Sequence, residues 1–456
     1  MQDEYPGPQV RKSISIPNAG KEDVMNIAQA QNYICDIQKF AKKNTLEHTK
    51  KYMELLGNPC KGAKIIHVAG TNGKGSVCNY LRMLLQEHGY STAMFVSPHL
   101  VDMRERILLD GEMVSGEQFM QAFERVKAAA EQAAECEGLH HPTFFEFLFL
   151  MAMLIFDEAK PDYIILETGM GGRLDATNVF EHPVLTVITE IGLDHCLYLG
   201  DTKEQIAAEK AGIIKPGVPL VYVNREKSVS DVLSQMAKRC GSKAVAVDKT
   251  RIFDVNINNK SIDFSYKSSY YSNVSCTLST KALYQTENAL TALIAFEELF
   301  QKEQIDIHKV QKALTKFRWA GRMEEVAEDV YVDGAHNEDG ISAFLSSVKM
   351  SPDDRRRILL FSVVSDKEYK DMIRRVENAG LFEEYIIAGI ADDRGLSGEQ
   401  IVSCFQTVRA EQIHLCKSVR DAYNTALGLK GDGVVYIAGS LYLAGEIKAL
   451  LKEESK

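Results

Sequence analysis

HVAGTNGKGSV, residues 67–77, is the stretch whose reading decides the fold. An apolar run at 65–69 precedes it and a helical pattern follows. Strand, glycine loop and helix in that order turn backbone N–H groups toward an anion. The reading predicts that the N–H groups of Gly73, Lys74, Gly75 and Ser76 converge on phosphate oxygens, with the Lys74 ammonium neutralising the β- and γ-phosphates. The loop departs from the strict GxxxxGK[ST] pattern: Val68 stands where the first glycine is required, and Gly75 separates Lys74 from Ser76. The bland alternative is a glycine turn that binds nothing.

Outward from this loop, strand-like runs at 65–69, 92–96, 163–166, 184–189 and 218–223 alternate with amphipathic stretches such as 115–134 and 203–211. That rhythm is the signature of βαβ units around a parallel sheet. Residues 251–280 break it: alternating runs flank Asn258-Asn259, which predicts antiparallel hairpins added to the first domain. Helical segments at 282–300 and 308–316 follow. A second βα series starts near Val330, with strands at 330–332, 358–363, 384–387 and 434–437 and a last helix at 441–451. The expected α/β architecture is therefore an N-terminal extension (1–25), a P-loop-type, mostly parallel phosphate-binding domain (26–318), a hinge (319–325) containing Gly321, and a C-terminal Rossmann-like doubly wound domain (326–456).

Composition narrows the class of protein. In 456 residues, 53 Lys plus Arg stand against 63 Asp plus Glu, a net charge of -10 that argues against a nucleic-acid coat or a polybasic membrane anchor. Nine cysteines with no CxxC pair fit reduced thiols in a cytoplasmic protein. The start is polar and lacks an apolar signal-peptide core. The most apolar window, 144–156, contains Glu146 and falls short of the roughly 20 residues a membrane span needs, so a buried helix is expected.

Four further motifs sit where strands end, which in a parallel sheet is the edge that opens on the ligand crevice. SPHL (97–100) offers the Ser97 hydroxyl, or simply a Ser-Pro turn. LETGMGGRLDATN (166–178) carries Glu167, Arg173 and Asp175. A carboxylate just past a buried strand calls for a cation. Mg²⁺ would serve, and so would an ion pair with Arg173, while Asp175 reads equally as a helix cap. TEIGLDH (189–195) brings His195, a possible metal ligand, and 15 residues on lies Lys210 in EKAGIIK, whose plain alternative is a surface salt bridge with Glu209. In the hinge, Arg322 follows Trp319-Ala320-Gly321, and DGAHN (333–337) places Asp333, as ligand contact or cap, and His336 at a cleft between the domains.

GTNGKGS, SPHL, ETGMGGRLDATN, IGLDH, EKAGI, GRME, DGAHN and GSLYL together resemble the ATP-dependent Mur-type amide ligases, and among them the folylpolyglutamate and dihydrofolate synthases, from about residue 30 to 450. The resemblance implies γ-phosphoryl transfer from ATP to a carboxylate and attack of L-glutamate's amine on the acyl phosphate, with folate or dihydropteroate as acceptor. It implies that Gly70, Thr71, Asn72, Gly73, Lys74, Gly75 and Ser76 hold the triphosphate. Ser97, Glu167 and His195 would ligand Mg²⁺, and Lys210 would carry a carbamate supporting a second Mg²⁺, with K⁺ as a further ion. Asn288, Arg322 and Asp333 match nucleotide contacts, and His336 and Ser440 match the glutamate and acyl-phosphate end. Thr143, Phe144, Phe145, Arg173 and Asp175 fall to the substrate, the aromatics with a plain alternative as helix core. Lys74, Lys210, His195 and His336 are thus the catalytic candidates, in a monomer expected to bind neither nucleic acid nor membrane. Glu338 and Cys196 depart from the family pattern.

Two competing readings remain. A muramoyl-peptide ligase would place a nucleotide-sugar domain before the glycine loop, and only 63 residues precede Lys64 here. A nucleotide-dependent switch without ligase chemistry would have no use for Lys210 and His195.

Overall fold

The computed structural model describes residues 25–37, 45–133, 139–365, 367–390 and 394–454. The expected N-terminal extension therefore lies outside the described residues, apart from Met25. Eight strands form the first sheet: β1 (Ile65–Ala69), β2 (Thr92–Phe95), β3 (Ile107–Leu109), β4 (Glu112–Met113), β5 (Tyr163–Glu167), β6 (Leu185–Ile188), β7 (Leu220–Val223) and β8 (Ala244–Val247). Their order is 4-3-2-5-1-6-7-8, which puts the glycine-loop strand β1 between β5 and β6. All neighbours run parallel except β2–β3 and β3–β4.

β1 and β5 are buried at every residue because helices cover both faces, and such strands read as unbroken apolar runs. On one face, Ile66 and Val68 pack against Leu81, Leu84, Leu290 and Leu293 of the Lys74–Glu87 and Gln285–Leu299 helices. On the other, Ile65, Ile164 and Leu166 meet the Phe144–Ala159 and Gly116–Ala133 helices. The run expected to be a buried helix is one: it starts in a capping box in which Thr143 and Glu146 satisfy each other's backbone N–H groups. No described helix is long and apolar enough to cross a membrane.

Residues 251–280 form the expected hairpins. β9 (Ile252–Ile257), β10 (Ile262–Tyr266) and β11 (Val274–Leu278) make an antiparallel sheet whose Phe264 and Tyr266 join the same core as Phe296. The second sheet contains β12 (Glu324–Ala327), β13 (Val330–Val332), β14 (Arg357–Phe361), β15 (Glu384–Ala388), β16 (Ile413–Cys416) and β17 (Val434–Ala438), in the order 12-13-17-14-15-16. Only β12 is antiparallel to its neighbour.

Glu324 and Glu325, placed in the hinge by sequence, are therefore edge-strand residues of the second sheet. Glu324 also accepts hydrogen bonds from Gly321 N and Lys448 Nζ at 2.7 and 2.6 Å, tying the joining segment to the C-terminal domain. The rest of that segment lies on the first domain. Phe317 stacks on Tyr80 with ring centres 4.0 Å apart, and the Trp319 ring covers Gly75. The strand ends of β1, β2, β5 and β6 consequently face the residues that follow β13 and β17.

Candidate active site

The glycine loop is shaped as its sequence requires. Gly73 caps the Lys74–Glu87 helix in the left-handed region (φ 86°), and a Cβ there would collide with the Asn288 amide. Thr71 N donates to Glu190 O at 2.8 Å and Thr189 Oγ1 to Asn72 O at 2.7 Å, so β6 holds the loop from the side. Ser76 is buried and accepts from Gln285 Nε2 at 3.0 Å.

One cavity opens on this loop. It is lined by Gly70–Ser76, by Ser97, Glu167, His195 and Lys210 from the first domain, by Asn288 and Arg322, and by Asp333 and His336 from the second. Glu167 ends β5 at 3% exposure, and burial raises its pKa against the opposing charge of Lys74. Its carboxylate accepts Ser97 N at 3.0 Å and lies 3.9 Å from Lys74 Nζ. The Glu167–Arg173 pairing weighed above does not form: Arg173 pairs with Glu209 at 2.9 Å and faces solvent. Lys210 is no surface residue either. At 4% exposure its Nζ donates to Gly70 O at 2.7 Å, beneath the glycine loop.

His195 sits in a left-handed turn (φ 52°) after β6 and is lowered to about 4, chiefly by burial. His336 is also lowered to about 4 by burial. Its Nδ1 lies 2.8 Å from Gly334 O; a carbonyl only accepts, so Nδ1 carries the proton and Nε2 keeps its lone pair, 3.8 Å from Asp194 Oδ2. Asp333 accepts from Met323 N, Ala335 N and Tyr284 OH, at 3.1, 2.9 and 2.6 Å. It is thus a brace for the hinge as well as a cavity wall.

The remaining substrate candidates stand off from the cavity wall. Asp175 is buried, caps the 176–179 turn through Thr177 and accepts Met170 N, which favours its capping reading. Thr143 caps its helix, Phe144 is core, and Phe145 packs between Gly169 and Phe95. Ser440 is buried and accepts Tyr442 N at 3.1 Å.

Sequence reasoning passed over the residues that join the domains. Asp194 accepts from Lys367 Nζ at 2.5 Å, with side chains 10% and 13% exposed, and its carboxylate is held well below the usual range despite burial by Lys367 and the two imidazoles. Asn337 caps the Glu338–Met350 helix and donates across the cleft to Asn72 Oδ1 at 3.0 Å. Arg225, at the end of β7, bridges Glu190 and Glu287 on the cavity rim. Asp194 and Asn337 lie inside the quoted motifs; for Lys367 and Arg225 the only signal was their place just past a strand.

Comparison with known proteins settles the family. Residues 68–296 match the Mur ligase middle domain and residues 321–441 the Mur ligase glutamate ligase domain. A dihydrofolate synthase/folylpolyglutamate synthase of Bacillus subtilis (strain 168) is 35% identical over 93% of this chain and 98% of its own. The chain belongs to the folylpolyglutamate and dihydrofolate synthase family of Mur ligases. Another relative, a folylpolyglutamate synthase of Lacticaseibacillus casei, is 28% identical over 94% of this chain and 99% of its own. The Mycobacterium tuberculosis folylpolyglutamate synthase, solved in complex with ADP, superposes with a TM-score of 0.85 at 26% identity, covering 93% of this chain and 98% of that one.

Proposed function

We propose that the protein is an ATP-dependent amide ligase that adds L-glutamate to the γ-carboxylate of a folate, and joins glutamate to dihydropteroate by the same chemistry. The observation that carries this reading is the single cavity in which the glycine loop, the buried Glu167 and Lys210, and the second domain's Asp333 and His336 meet. The family relationship supports it.

In the proposed reaction a substrate carboxylate oxygen attacks the γ-phosphorus of ATP and the bond to ADP breaks. Glutamate's amine nitrogen then attacks the acyl carbon and phosphate leaves. The chain's part is to bring together groups that repel. N–H groups of Gly73–Ser76 and the Lys74 ammonium hold the triphosphate, Arg322 adds a cation from the hinge, and Asn288 and Asp333 flank the nucleoside. In this reading the unprotonated His336 Nε2 takes the amine's proton.

The residues present fit Mg²⁺. Glu167 is a buried carboxylate that accepts Ser97 N and feels the charges of Lys74, Arg322 and Arg106, the Ser97 hydroxyl lines the same cavity, and His195 is a neutral imidazole. When bound, Mg²⁺ would supply charge stabilisation at the transferring phosphoryl. Lys210, buried under the loop, is the proposed carbamate site supporting a second ion. The domain division proposed from sequence, with the hinge now ending before β12 at Glu324, and action as a monomer belong to the same proposal.

The test is a substrate panel of dihydropteroate and reduced folates with ATP and glutamate, scored by product mass. A product heavier by one glutamyl residue is expected. ADP formed equally fast without folate or glutamate would favour the nucleotide switch instead.

A further inference from the structure

Arg106, at the end of the Met103–Arg106 turn, plays no part in the reaction described so far. Its side chain is 7% exposed, and burial pulls its pKa down to about 10. Nε donates to His99 Nδ1 at 2.7 Å, and the guanidinium carbon lies 5.2 Å from the centre of the Phe144 ring. The carboxylates that act on it most strongly are committed elsewhere. Glu105 accepts the N–H groups of Leu100, Val101 and Asp102 at 2.7, 3.1 and 2.9 Å. Glu167 takes Ser97 N and faces Lys74. Among the described residues, neither terminal nitrogen of Arg106 has an acceptor. A guanidinium stays charged in a protein and offers five donors, so with Glu167 and Glu105 acting on it only through their charge, its terminal N–H groups remain available to a further acceptor.

Its place says which anion. Val96 N donates to Arg106 O at 3.0 Å, so Arg106 stands beside the end of β2, next to Ser97. Phe144 opens the Phe144–Ala159 helix, whose N terminus adds positive potential. The guanidinium thus lies against Phe144, on a segment joined to the strand that leads into Ser97 of the cavity wall. A glutamylated acceptor brings two carboxylates to this region. The γ-carboxylate must stay free to attack phosphorus, which leaves the α-carboxylate in need of a partner. We infer that Arg106 binds the non-reacting α-carboxylate of the acceptor's terminal glutamate through its two terminal nitrogens, an inference that rests on the proposed function. Arg106 then strengthens binding of acceptors that already carry a glutamate, while dihydropteroate, with no α-carboxylate, is taken without this contact.

The experiment measures, by titration calorimetry on the full chain with Mg²⁺ and a non-hydrolysable ATP analogue, the affinity for pteroylglutamate and for its α-carboxamide analogue. Wild type, Arg106→Lys and Arg106→Met are compared. Arg106→Met should weaken pteroylglutamate about 10- to 100-fold, with Arg106→Lys in between, while the carboxamide binds all three within about 3-fold. Equal weakening of both ligands, or of neither, overturns the assignment and leaves Arg106 a brace for the His99 turn. Should Arg106→Met fail to fold, Arg106→Lys carries the same comparison. A wild-type protein that binds neither ligand would instead sink the proposed function itself.

Discussion

Lys367→Met removes the cation that crosses from the second domain to Asp194. The pair is separated by 2.5 Å with both side chains at most 13% exposed, so solvent screens it weakly. At an effective dielectric of 20 the gross attraction is about 7 kcal/mol. Desolvation offsets much of this, and breaking a buried pair typically costs about 3–5 kcal/mol. Asp194 keeps Asn337 at 3.5 Å and its place at the rim of an open cavity, so the expected loss is about 2–3 kcal/mol, roughly 30- to 150-fold in the closed-to-open ratio. The assay is a double-mutant cycle on kcat/KM for glutamate with Lys367→Met, Asp194→Asn and the double variant. Each single variant should lose that factor and the double variant little more. Losses that multiply would refute the reasoning, because each residue would then act alone.

Other consequences are as direct. Gly73→Ala forces a side chain into the left-handed region and against Asn288, so KM for ATP should rise at least about 10-fold with the fold retained; an unchanged KM would contradict the loop assignment. Activity lost in Lys210→Ala should be partly restored by short-chain carboxylates that stand in for a carbamate, whereas a merely structural lysine would show no rescue. His195 and His336, both lowered to about 4, stay neutral near pH 7. Their contribution to stability is whole above the ordinary histidine value of about 6.5 and is lost as pH falls from there toward 4. Imidazole NMR signals should accordingly hold steady from about pH 9 to 6, and a titration centred near 6.5 would exclude this environment.

The sequence revealed the architecture where burial is two-sided. β1, β5 and β17 are unbroken apolar runs because helices cover both faces, and alternation in 252–257 and 262–266 revealed the antiparallel strands of the added sheet. The elements it missed are short or at sheet edges: β3 and β4 span three and two residues, β12 was taken for hinge, and β16 carries exposed positions and His414. In the site, residues fixed by local geometry were legible, since Gly73 and Lys74 follow from strand, loop and helix. Asp194, Lys367 and Asn337 were not, because their partners lie 173 and 265 positions away in the chain and only the domain packing joins them. Arg173 and Asp175 share a motif with Glu167, yet turn to Glu209 and to a cap, the latter being one of the two readings the sequence left open.

The central claim is that the cavity lets a carboxylate attack the γ-phosphorus of ATP. Folate labelled with ¹⁸O in its γ-carboxylate tests this most directly, read by mass spectrometry of the phosphate released with glutamate present. The account predicts that one labelled oxygen appears in phosphate for each amide formed. Unlabelled phosphate alongside normal amide formation would contradict it.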